Sequence, residues 1–232
     1  MSTLNVIADV QRTEEWFAAR LGCLTGSRIA AAMSKAKREN LVELQVRHNL
    51  KMELAVERIT GKPAGHYVSR WMERGVEMEP LARGAYTLRH ADVTETGFVL
   101  HPRINWAGCS PDGLVGDDGL IEIKVPKPTT HAEYIIGETV PAEYLPQMMW
   151  QMAVTGRKWN DFVSYCPDFP EPLDLFICRL ERDEKQIAAM EAEAVKFLAE
   201  VEAMVTRLKG GLEGALRASL GERNDAEGIQ TR

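Results

Sequence analysis

The stretch CSPDGLVGDDGLIEIKVP, residues 109–126, constrains this chain more than any other. Residues 120–125 have the aliphatic and β-branched character of a strand bounded by turn residues, yet Glu122 and Lys124 sit inside it. Side chains on a strand alternate between faces, so Leu120, Glu122 and Lys124 point one way and Ile121, Ile123 and Val125 the other. One face feeds a core; the other holds the charges. The GDDG at 116–119 is a hairpin signal. Folding back through it sets Asp112 opposite Glu122 or within one residue of it, with roughly 5 Å between paired Cβ atoms.

Two carboxylates held that close repel, and they must share a proton or bind a cation. Mg²⁺ prefers oxygen ligands, accepts one or two carboxylates with several waters, and leaves positions for phosphate oxygens. Lys124, an ammonium on the same face, is placed to orient an attacking water or to stabilise charge developing on phosphorus. An Asp followed ten residues on by Glu-x-Lys is thus a nuclease arrangement, although the same letters also suit a solvated ion pair. Other chemistries lack a motif. Cys23, Cys109, Cys166 and Cys178 form no C-x-x-C pair and read as buried thiols, and there is no H-E-x-x-H, P-loop or G-x-S-x-G. A net charge of −6 argues against nonspecific coating of nucleic acid but leaves room for one local basic channel.

The rest of the chain supplies a frame. Thr13 can cap a helix opening with Glu14 and Glu15, and Thr25 or Ser27 can cap SRIAAAM, so two helix starts flank Arg20. A basic cluster of Lys35, Lys37 and Arg38 precedes a helix expected within 40–59, and another spans 70–90 with a kink or restart at Pro80. TETGFVLH, NWAGCSPDGLVG and GLIEIKVP read as an antiparallel meander. Helices are expected at 131–136 and 142–154, strands at DFVSYC and LDLFICRL, and a final helix from Asp183 with Gln186 as capping-box partner. The sum is a mixed α/β (α+β) fold with a central mixed sheet flanked by helices. One domain is expected over 1–208 and a partly disordered tail over 209–232. No apolar run approaches the roughly eighteen residues of a membrane span, and MSTLNVIADVQRTEEWF lacks secretion-signal character. The expected compartment is the cytoplasm, bacterial or of a phage-infected host.

QRTEEWFAARLGCLTGSRIA, RGVEMEPLARGAY, GCSPDGL, GLIEIKVP and PAEYLPQMMWQMAVTG, in that order, resemble the lambda-type phage exonucleases, also called YqaJ-like viral recombinases. The resemblance implies a restriction-endonuclease-like PD-(D/E)xK core. It also implies a metal-dependent 5′-to-3′ exonuclease that digests linear double-stranded DNA and leaves 3′ single-stranded tails for phage-type recombination. The implied cofactor is Mg²⁺, one or two ions, with Mn²⁺ as substitute. The implied partners are duplex DNA ends, a homotrimeric ring and a single-strand annealing protein.

Carried over by position, the resemblance makes Asp112, Glu122 and the Ile123 carbonyl metal ligands and Lys124 the catalytic lysine. It adds Glu79, with Glu77 as competitor, and Gln147 as catalytic residues; Gln151 lies one helical turn beyond Gln147. Arg20, Ser27 and Ser110 match the holders of a terminal 5′-phosphate, Trp16 could stack near the DNA end, and Met72 falls where relatives carry an apolar wedge. HPRINWAG lacks the acidic residue that some relatives carry before the CSPDG turn, so that residue's role does not transfer. Two rivals stay open: an endonuclease of the same fold, and a non-catalytic DNA-end-binding recombination scaffold.

Overall fold

Local signals account for most of the helices in the structure, a computed structural model that describes residues 4–8, 10–34, 44–64 and 70–226. After strand β1 (Val6–Ala8), Thr13 caps helix α1 (Glu14–Arg20), its hydroxyl accepting from the Trp16 N–H, with Glu14 and Glu15 at the positive end. Strand β2 (Leu24–Thr25) leads through a single 3-10 turn, Gly26–Arg28, into α2 (Ile29–Met33). That turn moves the helix start past both expected caps, and the Thr25 and Ser27 hydroxyls instead bond each other at 3.3 Å. Helix α3 (Gln45–Thr60) stops at Gly61, whose φ of 64° suits a residue without a Cβ. Lys35, Lys37 and Arg38 lie outside the described residues. Helix α4 (Arg70–Arg89) carries Pro80 inside it without a restart, because Ala82 and Tyr86 pack its second half onto the sheet.

The expected meander divides into two sheets. Strands β3 (Val93–Thr94), β4 (Phe98–Leu100), β5 (Ala107–Cys109), β6 (Gly113–Val115) and β7 (Gly119–Lys124) follow in order, but β5 and β6 do not pair with each other. Between them lie Ser110, Pro111 and Asp112, and a proline has no N–H to give to a ladder. One sheet therefore runs β1-β4-β5-β2. The other takes β3, β6 and β7, and continues through β8 (Trp159–Tyr165) and β9 (Leu175–Glu181). Helices α5 (Pro128–Gly137) and α6 (Leu145–Thr155) form the crossover that lets β8 lie parallel to β7. Helix α7 (Glu184–Ala226) closes the chain; Asp183 Oδ1 accepts the Lys185 and Gln186 N–H groups, and Gln186 Nε2 reaches back to Asp183 Oδ2 at 3.0 Å. It continues as helix past residue 208, where the tail was expected to begin.

This is the expected mixed α/β architecture, with two sheets in place of the single central one and a further revision at β7. Strand β7 is interior and both of its faces are covered. Leu120 joins the main core with Leu54, Trp150, Phe197 and Val201, while Ile121 and Ile123 pack against Ala82 and Tyr86. The charged face is therefore roofed by α6 and does not open broadly to water, and Glu122 is only 1% exposed.

Candidate active site

The turn between the sheets carries Asp112 to the head of β6. Gly113 pairs with Ile121, so one further step of the register sets Asp112 against Glu122. The Asp112 N–H donates to the Ile121 carbonyl at 3.2 Å, and the Ile123 N–H donates to Asp112 Oδ2 at 2.7 Å. Two side chains from distant elements pin this turn. Gln11 Nε2 donates to the Thr96 and Pro111 carbonyls at 2.9 and 2.8 Å, and Arg83 Nε donates to the Asp112 carbonyl at 3.1 Å. Burial pushes the Asp112 carboxyl well above the usual carboxylate range, and the neighbouring Glu122 adds to the rise against the pull of Lys124.

Glu122 collects three donors. Its Oε1 accepts from the Lys124 ammonium and from Gln147 Nε2 at 2.6 Å, and its Oε2 accepts from Gln151 Nε2 at 2.5 Å. Gln147 and Gln151 share one face of α6, which ends at Gly156 with a φ of 73°. Burial works to lower the Lys124 pKa, but Glu122 and Asp112 outweigh it and raise it, so the side chain stays an ammonium. Its Nζ lies 5.1 Å from the centroid of the Tyr144 ring, which stacks on Phe162.

Glu79 lies at the edge of this group. It accepts from Arg12 Nη2 at 2.6 Å and Arg83 Nη2 at 2.7 Å, and it is close enough to push the Asp112 pKa further up. Glu77 is exposed on the same helix. Among the described residues, no three His, Cys, Asp or Glu side chains converge as a metal cage. A buried carboxylate opposite a partly buried one still fits a hard divalent ion that keeps most of its waters, since such an ion offsets both the desolvation and the Glu122 repulsion that raise Asp112.

A second cluster adjoins the first through Ser110, two residues before Asp112. Trp16 Nε1 donates to Ser110 Oγ at 2.9 Å and Arg20 Nη1 reaches the same oxygen at 3.5 Å, while the guanidinium stacks 3.8 Å from the Trp16 ring centroid. Burial, with Arg28 nearby, pulls the Arg20 pKa down to about 10. No carboxylate pairs with Arg20 among the described residues, whereas Arg28 clamps Glu57 through bonds of 3.1 and 3.2 Å. A partly buried guanidinium without a counterion is an anion site in waiting. Ser27 stands exposed at the rim of the same loop. A Cβ on Gly26 would lie 3.6 Å from Gln147 Cγ and 3.7 Å from Cys109 Cβ, so this turn packs beside the glutamines that bond Glu122. Met72 lies on α4, but its side chain is outside the described residues.

Sequence reasoning passed over Gln11, Arg12, Arg83 and Asn160. The first three stand within the QRTEEW and EMEPLARGAY stretches that carried the resemblance, the signal that could have flagged them. The family model described as YqaJ-like viral recombinase domain matches residues 15–158. An alkaline exonuclease (LHK-Exo) from Laribacter hongkongensis has a crystal structure 46% identical to this chain, with a TM-score of 0.80 over 88% of this chain and 100% of that one. The same figures hold for its complex with dAMP. A phage-related exonuclease from Haemophilus somnus 129PT, at 13% identity and a TM-score of 0.64, covers 80% of this chain and 96% of its own, and shares the fold. No curated protein matches. No helix among the described residues is long and apolar enough to cross a membrane.

Proposed function

The chain belongs to the YqaJ-like viral recombinase family, and from that premise we propose that it is a metal-dependent nuclease digesting linear duplex DNA from the 5′ end. Its product is a 3′ single-stranded tail for recombination, passed to a single-strand annealing protein, and it works as a homotrimeric ring. The observation that carries this reading is the meeting of Asp112, Glu122 and Lys124 near the Arg20 guanidinium, which bonds Ser110 and has no carboxylate partner among the described residues. The relative's complex with dAMP supports a mononucleotide-sized site.

Asp112, Glu122 and the Ile123 carbonyl would hold Mg²⁺, or Mn²⁺ in its place. When bound, the ion supplies Lewis acidity, acidifying water and neutralising charge on the phosphate. Lys124, kept protonated by the two carboxylates, donates to the attacking water or to oxygen on which charge accumulates. Gln147 and Gln151 hold the Glu122 carboxylate in one orientation. Glu79, braced by Arg12 and Arg83, adds negative charge at the edge of the site. Arg20, Ser110 and Ser27 take the terminal 5′-phosphate, with Trp16 behind the guanidinium and Met72 as the wedge between strands. A pocket that takes a terminal phosphate and excludes an internal one, which carries a further nucleotide, gives the 5′-to-3′ direction.

The test is a time course on linear duplex DNA labelled separately at each terminus, with Mg²⁺ or with chelator. Mononucleotides from the 5′ label, only with metal, are expected. Cutting of closed circular DNA would favour an endonuclease, and tight end binding without product would favour a scaffold.

A further inference from the structure

On the reading above, Glu122 must present its carboxylate to the metal in one orientation, and the structure shows what fixes it from behind. We infer that Asn160 is a positioning residue that sets the Glu122 carboxylate through Gln151. Asn160 sits on β8 directly beside Leu120 of β7 and is fully buried. Its Nδ2 donates to Gln151 Oε1 at 2.7 Å and faces the Met148 carbonyl at 3.4 Å. A carbonyl only accepts, so that backbone oxygen decides which end of the Asn160 amide is the nitrogen. With a donor fixed against it, Gln151 must turn its oxygen towards Asn160 and its NH₂ towards Glu122 Oε2. The direction of the chain is thus set by one carbonyl of α6 and read out at the carboxylate.

The arrangement is not what packing alone would select. Among the described residues Asn160 Oδ1 has no partner, and its place on β8 is beside Leu120, so the amide is held only by the bonds that its nitrogen donates. A buried amide that gives its donor to Gln151, itself bonded to Glu122, orients that glutamine and through it the carboxylate.

The experiment is a calorimetric Mn²⁺ titration without DNA on the full chain, on Asn160→Leu, on Gln151→Leu and on the double variant, with thermal melts alongside. Each single variant should bind Mn²⁺ roughly tenfold more weakly. The double variant should bind no more weakly than Gln151→Leu, because one partner acts through the other. The Asn160→Leu melting midpoint should move by no more than about 4 °C. If that variant does not fold, Asn160→Ala, which removes the donor to Gln151 without adding bulk, should show the same loss. Unchanged Mn²⁺ affinity in a folded Asn160 variant, or additive losses in the double variant, overturns the inference alone. A parent chain that binds no Mn²⁺, or an Asp112→Asn variant that binds it as well as the parent, overturns the functional reading and this inference with it.

Discussion

Asp112 and Lys124 illustrate how one neighbour serves opposite needs. The Glu122 carboxylate makes the Asp112 charge harder to hold and the Lys124 charge easier. Asp112→Asn, Glu122→Gln and Lys124→Ala should each lower cleavage of linear duplex by roughly 10²-fold or more, with the far-ultraviolet dichroism unchanged. Retained activity in a folded variant removes that residue from the chemistry. Arg20→Ala should slow digestion of 5′-phosphorylated ends far more than of 5′-hydroxyl ends, and equal slowing of both would contradict a phosphate pocket. The Asp112, Glu122 and Lys124 group was legible because strand alternation and a hairpin turn are local rules. Gln11 and Arg83 were not, because each reaches the Asp112 turn across many residues, and the motifs that contain them mark the positions without naming the partner.

At the scale of elements, β6 shows how tightly the site is framed. A Cβ on Gly113 would stand 2.2 Å from Val93 Cγ1 on β3, so Gly113→Ala should force β3 away and lower the melting midpoint. A midpoint equal to the parent's would show that β3 gives way freely. The junction of α3 with α7 is electrostatic as well as apolar. Arg47, with Lys51, hydrogen-bonds the Glu200 carboxyl and pulls its pKa from 4.5 down to about 2. Folded Glu200 therefore stays charged where the unfolded chain would take up a proton. Its contribution is complete above pH 4.5 and lost as pH falls towards 2. Glu200→Gln should flatten the acid limb of a stability-against-pH curve in that window, and an unaltered limb would refute the clamp. The division of the meander at Pro111 is also an element-scale event. The strands were readable from their residues, but which sheet each joined depended on partners elsewhere in the chain.

A cation that binds the folded carboxylate pair and not the unfolded chain stabilises in proportion to the logarithm of its concentration, about 2.7 kcal/mol at a hundredfold excess over Kd. Mn²⁺ should raise the melting midpoint of the parent but not of Asp112→Asn; an equal rise in both would place the ion elsewhere. The sequence by itself determined the mixed α/β class, most of the helices and the strand that carries Glu122 and Lys124, because capping, periodicity and turn chemistry act within a few residues. Tertiary structure alone decided that both faces of β7 are buried, that α6 roofs the charged one, and that Gly26 packs beside Gln147 and Gln151 of that roof. The reason is physical. Burial and pKa depend on what the far parts of the chain bring to a residue, and alternation along a strand states only which side they will arrive on.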